Sequence, residues 1–172
     1  MTRELGWVCG IVPPTVNKEI TMLCKLLNAD IFLPENVFKF PLHISLKKSF
    51  HCQDFEALRG DVAQLIQQMG PVRCEVGEAV LHRQMIWLPI ANTGDIKQLH
   101  EALDQMLLDK YGVPIDKFDA RFQPHISLFT SGDKERISRM FHLMQQETFA
   151  QSMQIRRFVI GSSAHKDVFY DV

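Results

Sequence analysis

One tetrapeptide, His-Ile-Ser-Leu, occurs twice in the 172 residues, as His43-Ile44-Ser45-Leu46 and as His125-Ile126-Ser127-Leu128, with the histidines 82 positions apart. The flanks agree as well: a basic residue four before each histidine (Lys39, Arg121), a Phe three before (Phe40, Phe122) and a Ser six after (Ser49, Ser131). Apolar and polar residues alternate with period two, which predicts a strand with His and Ser on one face and the aliphatics on the other. Each copy therefore offers an imidazole and a hydroxyl side by side. A single His-x-Ser strand is usually structural. Packing, however, explains two repeated Ile and Leu positions better than it explains two repeated His and Ser positions.

The rest of the chain repeats with the motif. Trp7–Val12 is an apolar strand closed by Pro13-Pro14, and Val16, Ile20, Leu23, Cys24 and Leu27 give a helix over 15–28. After the first motif, Asp54 caps a helix that ends at Gly70-Pro71, and 72–81 reads as a strand with a bulge at Gly77. The series then restarts: an apolar strand over Met85–Ile90, a helix from Thr93 or Asp95 to Gly112, the second motif and a helix opened by Asp133. Strands over 154–161 and 167–172 close the chain. Corresponding elements are offset by 78 to 82 residues. The expectation is an α+β fold made by internal duplication: two pseudo-symmetric lobes, each a mostly antiparallel sheet with outer helices, and an active-site cleft between them. Residues 1–172 form one bilobal domain with repeat units 5–82 and 83–172.

Charge narrows the partners. The formal net charge is −1, which does not suit a protein that coats duplex DNA by bulk electrostatics. A phosphate must be held by local cations, for which Lys47, Lys48, Arg83, Arg121, Arg156, Arg157 and Lys166 are the candidates. No apolar run approaches the roughly 18 residues that read as a membrane span, and Met1–Leu5 lacks the pattern of a signal peptide. Cys9, Cys24, Cys52 and Cys74 form no Cys-x-x-Cys pair, as expected of buried thiols in a reducing cytoplasm.

With both motifs in view, the sequence resembles the 2H phosphoesterase superfamily, also called 2′-5′ RNA ligase-like or LigT-like. That family is defined by two His-x-Ser/Thr-apolar motifs about eighty residues apart. The apolar strand Val8–Pro14 and the Trp-Leu strand Met85–Ile90 also look like family features. The resemblance implies a bilobal α+β fold, no metal or cofactor, and a nucleotide or RNA-end substrate carrying a 2′,3′-cyclic phosphate or a 2′-5′ phosphodiester. Some relatives bind nucleotides or RNA without clear catalysis, so a non-catalytic module using the same cleft is the alternative.

The residue types suit that chemistry. Cleaving a cyclic phosphodiester with water needs a base for the incoming oxygen and an acid for the departing one. An imidazole, with a pKa of about 6.5, serves as either near neutrality. His43 and His125 are the expected catalytic pair, in roles that the sequence leaves interchangeable, and Ser45 and Ser127 the expected donors to non-bridging phosphate oxygens. No Gly-x-Ser-x-Gly elbow supports a serine hydrolase. Phe32, Phe38, Arg83, Phe118 and Tyr170 are candidates for holding base or ribose. His100 and His142 on helices, and His51, His82 and His165 in or near turns, read as structural. None has the one-turn His partner of a helical zinc site. Oligomeric state leaves no mark in the sequence.

Overall fold

The helices begin and end where capping chemistry directs. In the computed structural model, which describes residues 4–163 and 167–172, β1 (Glu4–Ile11) leads through Pro13 into α1 (Pro14–Asn28), with proline in the first turn where its missing N–H has no intrahelical partner to lose. Then follow β2 (His43–Cys52), α2 (Phe55–Met69), β3 (Val72–Val76), β4 (Val80–His82) and β5 (Met85–Pro89). The second half holds α3 (Gly94–Tyr111), β6 (His125–Thr130), α4 (Lys134–Met144), β7 (Gln151–Ile155), β8 (Arg157–Ser162) and β9 (Val168–Asp171). Asp54 accepts from the Ala57 N–H to start α2, and Asp133 accepts from the Glu135 and Arg136 N–H groups to start α4. Gly112 closes α3 at φ 64°, a left-handed position that favours glycine.

The protein is α+β, with all the strand pairs antiparallel. Seven strands form one sheet in the order β4-β5-β6-β2-β1-β8-β9, while β3 pairs with β7 in a second, two-stranded sheet. If β1 is matched with β5, β2 with β6 and β4 with β8, the first six positions read the same from either end. On the same matching β3 pairs with its own counterpart. This is the order a duplicated unit gives. The halves join at β2 and β6, which register through one pair, Ile44 opposite Ile126.

Two expected strands divide. Residues 72–81 form β3 and β4, which belong to different sheets, and the strand expected over 154–161 divides into β7 and β8, again in different sheets, while 167–172 holds β9. Gly77 is no bulge. Its N–H donates to the Pro89 carbonyl at 2.7 Å, and a Cβ there would lie 3.2 Å from both Pro89 Cγ and Pro89 O. A side-chain-free residue lets the chain press against β5 and step from one sheet to the other.

Ile44, Leu46, Ile86, Leu88, Ile126 and Leu128 lie on one side of the large sheet, in a single core with buried residues of α1, α2, α3 and α4. Each such aliphatic contributes about 1.5–3 kcal/mol by leaving water. The helices therefore cover that side. The intervening residues of the motif strands, His43, Ser45, His125 and Ser127, point to the other face.

Candidate active site

Strand geometry brings the two motifs together. In β2 and β6 burial alternates, with Ile44, Leu46, Ile126 and Leu128 in the core and His43, Ser45, His125 and Ser127 half-buried. Because Ile44 faces Ile126 in an antiparallel pair, one step along each strand sets His43 across from Ser127 and Ser45 across from His125. All four side chains thus share one face as a two-by-two patch. The histidines occupy its diagonal, where Cβ atoms are typically about 7–8 Å apart. A phosphate group fits between rings at that spacing.

Both rings are held in the same way. His43 Nδ1 lies 3.0 Å from the Pro41 carbonyl oxygen, and His125 Nδ1 lies 2.8 Å from that of Gln123, each two residues back. A carbonyl only accepts, so Nδ1–H donates in both. In the neutral ring the lone pair is then left on Nε2. Burial pulls the His125 pKa below its usual 6.5, against the bond to Gln123, which raises it; the positive charges of Lys48, His82 and His43 lower it further.

The flanking strands supply the surroundings. On the β6 side, Trp87 stands opposite Ser127, and its ring lies 3.9 Å from the His125 ring and 4.9 Å from the His82 ring, centroid to centroid. The Trp87 indole nitrogen is buried without a hydrogen-bond partner among the described residues. The Ser127 hydroxyl rests against Met85 Sδ at 3.7 Å. On the β2 side, Cys9 stands opposite Ser45, and burial pushes its thiol up to about 12, so it stays protonated. The Phe40 ring meets the His43 ring edge-on at 5.4 Å and stacks on Phe169 at 6.4 Å. Trp87, His82, Phe40 and Phe169 are not among the site residues expected from sequence, where Phe40 is only a shared flank of the motif and His82 reads as structural. For Trp87 a signal existed: alternation along Met85–Pro89 already puts it on the face away from Ile86 and Leu88.

The expected wall residues scatter. Phe118 stands at the rim, half-exposed, with the Lys48 ammonium 4.4 Å above its ring. Phe38 turns inward, edge-on to buried Phe129 at 5.4 Å. Tyr170 pairs with buried Phe158, which puts it on the core side of the sheet, while its neighbour Phe169 takes the histidine side. Arg83 occupies the exposed two-residue turn between β4 and β5, at φ 57°. Phe32 follows α1 at φ 59° and is 74% exposed, with no ring contact to the motif strands among the described residues.

The candidate phosphate cations also separate. Arg157 forms a two-point pair with Asp171, Arg156 donates to Gln154, and Arg121 is exposed in a short turn. Lys47 is withdrawn altogether. It is 3% exposed and donates to Asp104 Oδ1 at 2.7 Å and to Asp119 Oδ2. His100 joins this cluster through the Leu46 carbonyl at 2.7 Å and stacks on Phe122. His100, Asp104 and Asp119 are grouped closely enough for a cation, but the Lys47 ammonium already meets both carboxylates. Lys166 and His165 lie outside the described residues. A groove of about 700 Å³ runs from Lys48 past His51 and Tyr111, and includes neither motif histidine. No helix is long and apolar enough to cross a membrane among the described residues.

Fold and face together define an antiparallel α+β protein with two His-x-Ser strands meeting on an open sheet surface. The comparisons give that class its family. The profile of the 2′-5′ RNA ligase superfamily matches residues 13–167, and the chain belongs to that superfamily, the 2H phosphoesterases. The family places it among phosphoesterases of nucleotides and RNA. Similar solved structures include a phosphoesterase (TM-score 0.63, 12% identity, covering 99% of this chain and 96% of that one). E. coli LigT complexed with 3′-AMP gives 0.60 and 14%, covering 99% and 96%. Kluyveromyces marxianus Usb1 gives 0.57 and 10%, covering 98% of each chain. At these identities the likeness is one of fold. No curated protein matches the chain.

Proposed function

We propose that this protein is a metal-independent phosphodiesterase acting on 2′,3′-cyclic phosphate or 2′-5′-linked nucleotide or RNA ends, with His43 and His125 as general acid and base. The observation that carries the reading is the shared face on which both imidazoles are held by Nδ1–H bonds to backbone carbonyls, so that both present Nε2 to one space. Two Nε2 atoms on either side of a phosphorus suit in-line displacement. Water attacks phosphorus while the base takes its proton. The P–O bond to the leaving ribose oxygen breaks, and the acid protonates that oxygen. The depressed pKa of His125 favours its neutral form, which suits the base role in hydrolysis. Ser45 and Ser127 donate to the non-bridging oxygens.

Neighbours with this fold have been crystallised with 3′-AMP and with uridine monophosphate, which supports a nucleotide ligand here. The palindromic strand order supports one bilobal domain with units 5–82 and 83–172. Four buried cysteines fit a cytoplasmic setting. The test is turnover of a panel of 2′,3′-cyclic, 3′,5′-cyclic and 2′-5′-linked nucleotides in the presence of EDTA. Hydrolysis of a 2′,3′-cyclic or 2′-5′ substrate that His43→Ala and His125→Ala abolish is the expected result. Nucleotide binding without any turnover would instead make the chain a binding module.

A further inference from the structure

We infer that Lys48 is the cation that grips the substrate's phosphate at the histidine pair, and that it rests on the Phe118 ring until a phosphate displaces it. This deepens the nucleotide-phosphate reading above and rests on it.

The first ground is register. Cys9 faces Ser45, but the next residue back along β1, Val8, faces Lys47, so β2 carries one extra residue at this step. Leu46 and Lys47 consequently both turn to the core, at 2% and 3% exposure, and Lys48 emerges on the side of His43 and Ser45. Without the bulge, plain alternation would send Lys47 to the histidines and bury Lys48. The bulge thus divides the two lysines: one anchors the interior, the other is delivered to the site.

The second ground is that Lys48 has charge to spare. Lys47 is met by Asp104 and Asp119, Lys110 by Asp61, and Arg157 by Asp171. Lys48 forms no ion pair among the described residues. Nearby Asp116 accepts instead from the Phe118 and Asp119 N–H groups. What Lys48 has is the face of Phe118, 4.4 Å away, and its charge reaches both Asp116 and His125 without an ion-pair contact to either among the described residues.

The third ground is energetic. An exposed cation–π contact is worth less than a hydrogen bond to a charged group. A phosphate between the histidines therefore draws the ammonium off the ring. The ring, 53% exposed, is then free to stack on a base. The loop bearing Phe118 is fixed for this exchange, because the next residue, Asp119, is tied to Lys47.

The test uses the full chain and inorganic phosphate, with 2′,3′-cyclic AMP in parallel. Lys48→Met should weaken inorganic phosphate binding about tenfold or more and raise the His125 pKa read by NMR, while Lys48→Arg keeps both near wild type. Lys117→Met, whose ammonium also lies over Phe118 at 5.2 Å, should change neither. Phe118→Ala should bind inorganic phosphate no less tightly than wild type but the nucleotide more weakly. Phosphate binding within twofold of wild type in Lys48→Met, equal losses in Lys117→Met, or loss of phosphate in Phe118→Ala each overturns the assignment. Phosphate binding is read without turnover. Failure of the enzymatic reading therefore leaves this result standing, and turnover unaffected by Lys48→Met sinks the lysine alone.

Discussion

At the scale of single residues the site depends on which nitrogen of each imidazole is engaged. Both Nδ1 atoms are held by a carbonyl two residues upstream, so the two copies of the motif deliver the same atom, Nε2, to the same space. Replacing either ring by Ala should lower the turnover rate by about 10²–10⁴, the usual contribution of one proton-transfer group. Activity within a few fold of wild type in either variant would remove the proposed mechanism. Burial and nearby positive charge depress the His125 pKa, and both consequences have a definite sign. The acid limb of the pH–rate profile should fall below 6.5 and vanish in His125→Ala. Below 6.5 the unfolded chain holds its proton while folded His125 releases it, so stability should rise with pH between the folded and unfolded pKa values. Denaturant titrations across that window, with His125→Ala as the control, measure it.

At the scale of elements, β2 carries the largest share of the work. Its first four residues provide the face that bears His43 and Ser45, and its bulge then rotates the following residues by one position. The buried Lys47 that results ties β2 to α3 through Asp104 and to the Phe118 loop through Asp119. Asp119→Ala leaves a buried ammonium with one partner and should destabilise the fold by about 3–5 kcal/mol, seen as a lower urea midpoint. Gly77 controls the other element-scale event, the step from β3 to β4. Gly77→Val would force a side chain against Pro89 and should cost about 1–3 kcal/mol. Strand existence was legible from alternation, whereas strand division was not. Period two continues across a chain that changes sheets, and only the contact with Pro89 shows why residue 77 is glycine.

At the scale of the whole molecule, two halves share one sheet and one core. The join at Ile44 and Ile126 is a single registered pair, yet buried residues of both halves and of α1, α2, α3 and α4 belong to the same cluster. Thermal unfolding should accordingly be one cooperative transition, with calorimetric and van't Hoff enthalpies equal. Two separate transitions would show the halves to be independent. The four chemically distinctive residues of the patch were legible because a repeated His-x-Ser cannot be explained by packing alone. The aromatic surroundings were not: Phe38, two residues before Phe40, packs against core Phe129, and Tyr170 lies on the opposite face from its neighbour Phe169.

Alternation and capping residues are local properties, and the sequence by itself determined the helices, the two motif strands and the side of each that bears His and Ser. Which strands become neighbours, where a bulge turns one lysine inward and the next outward, and which rings flank the histidines depend on contacts between residues far apart in the chain. Only tertiary structure decided these, because a side chain's surroundings are set by its cross-strand partners, and a shift of one residue exchanges the two faces.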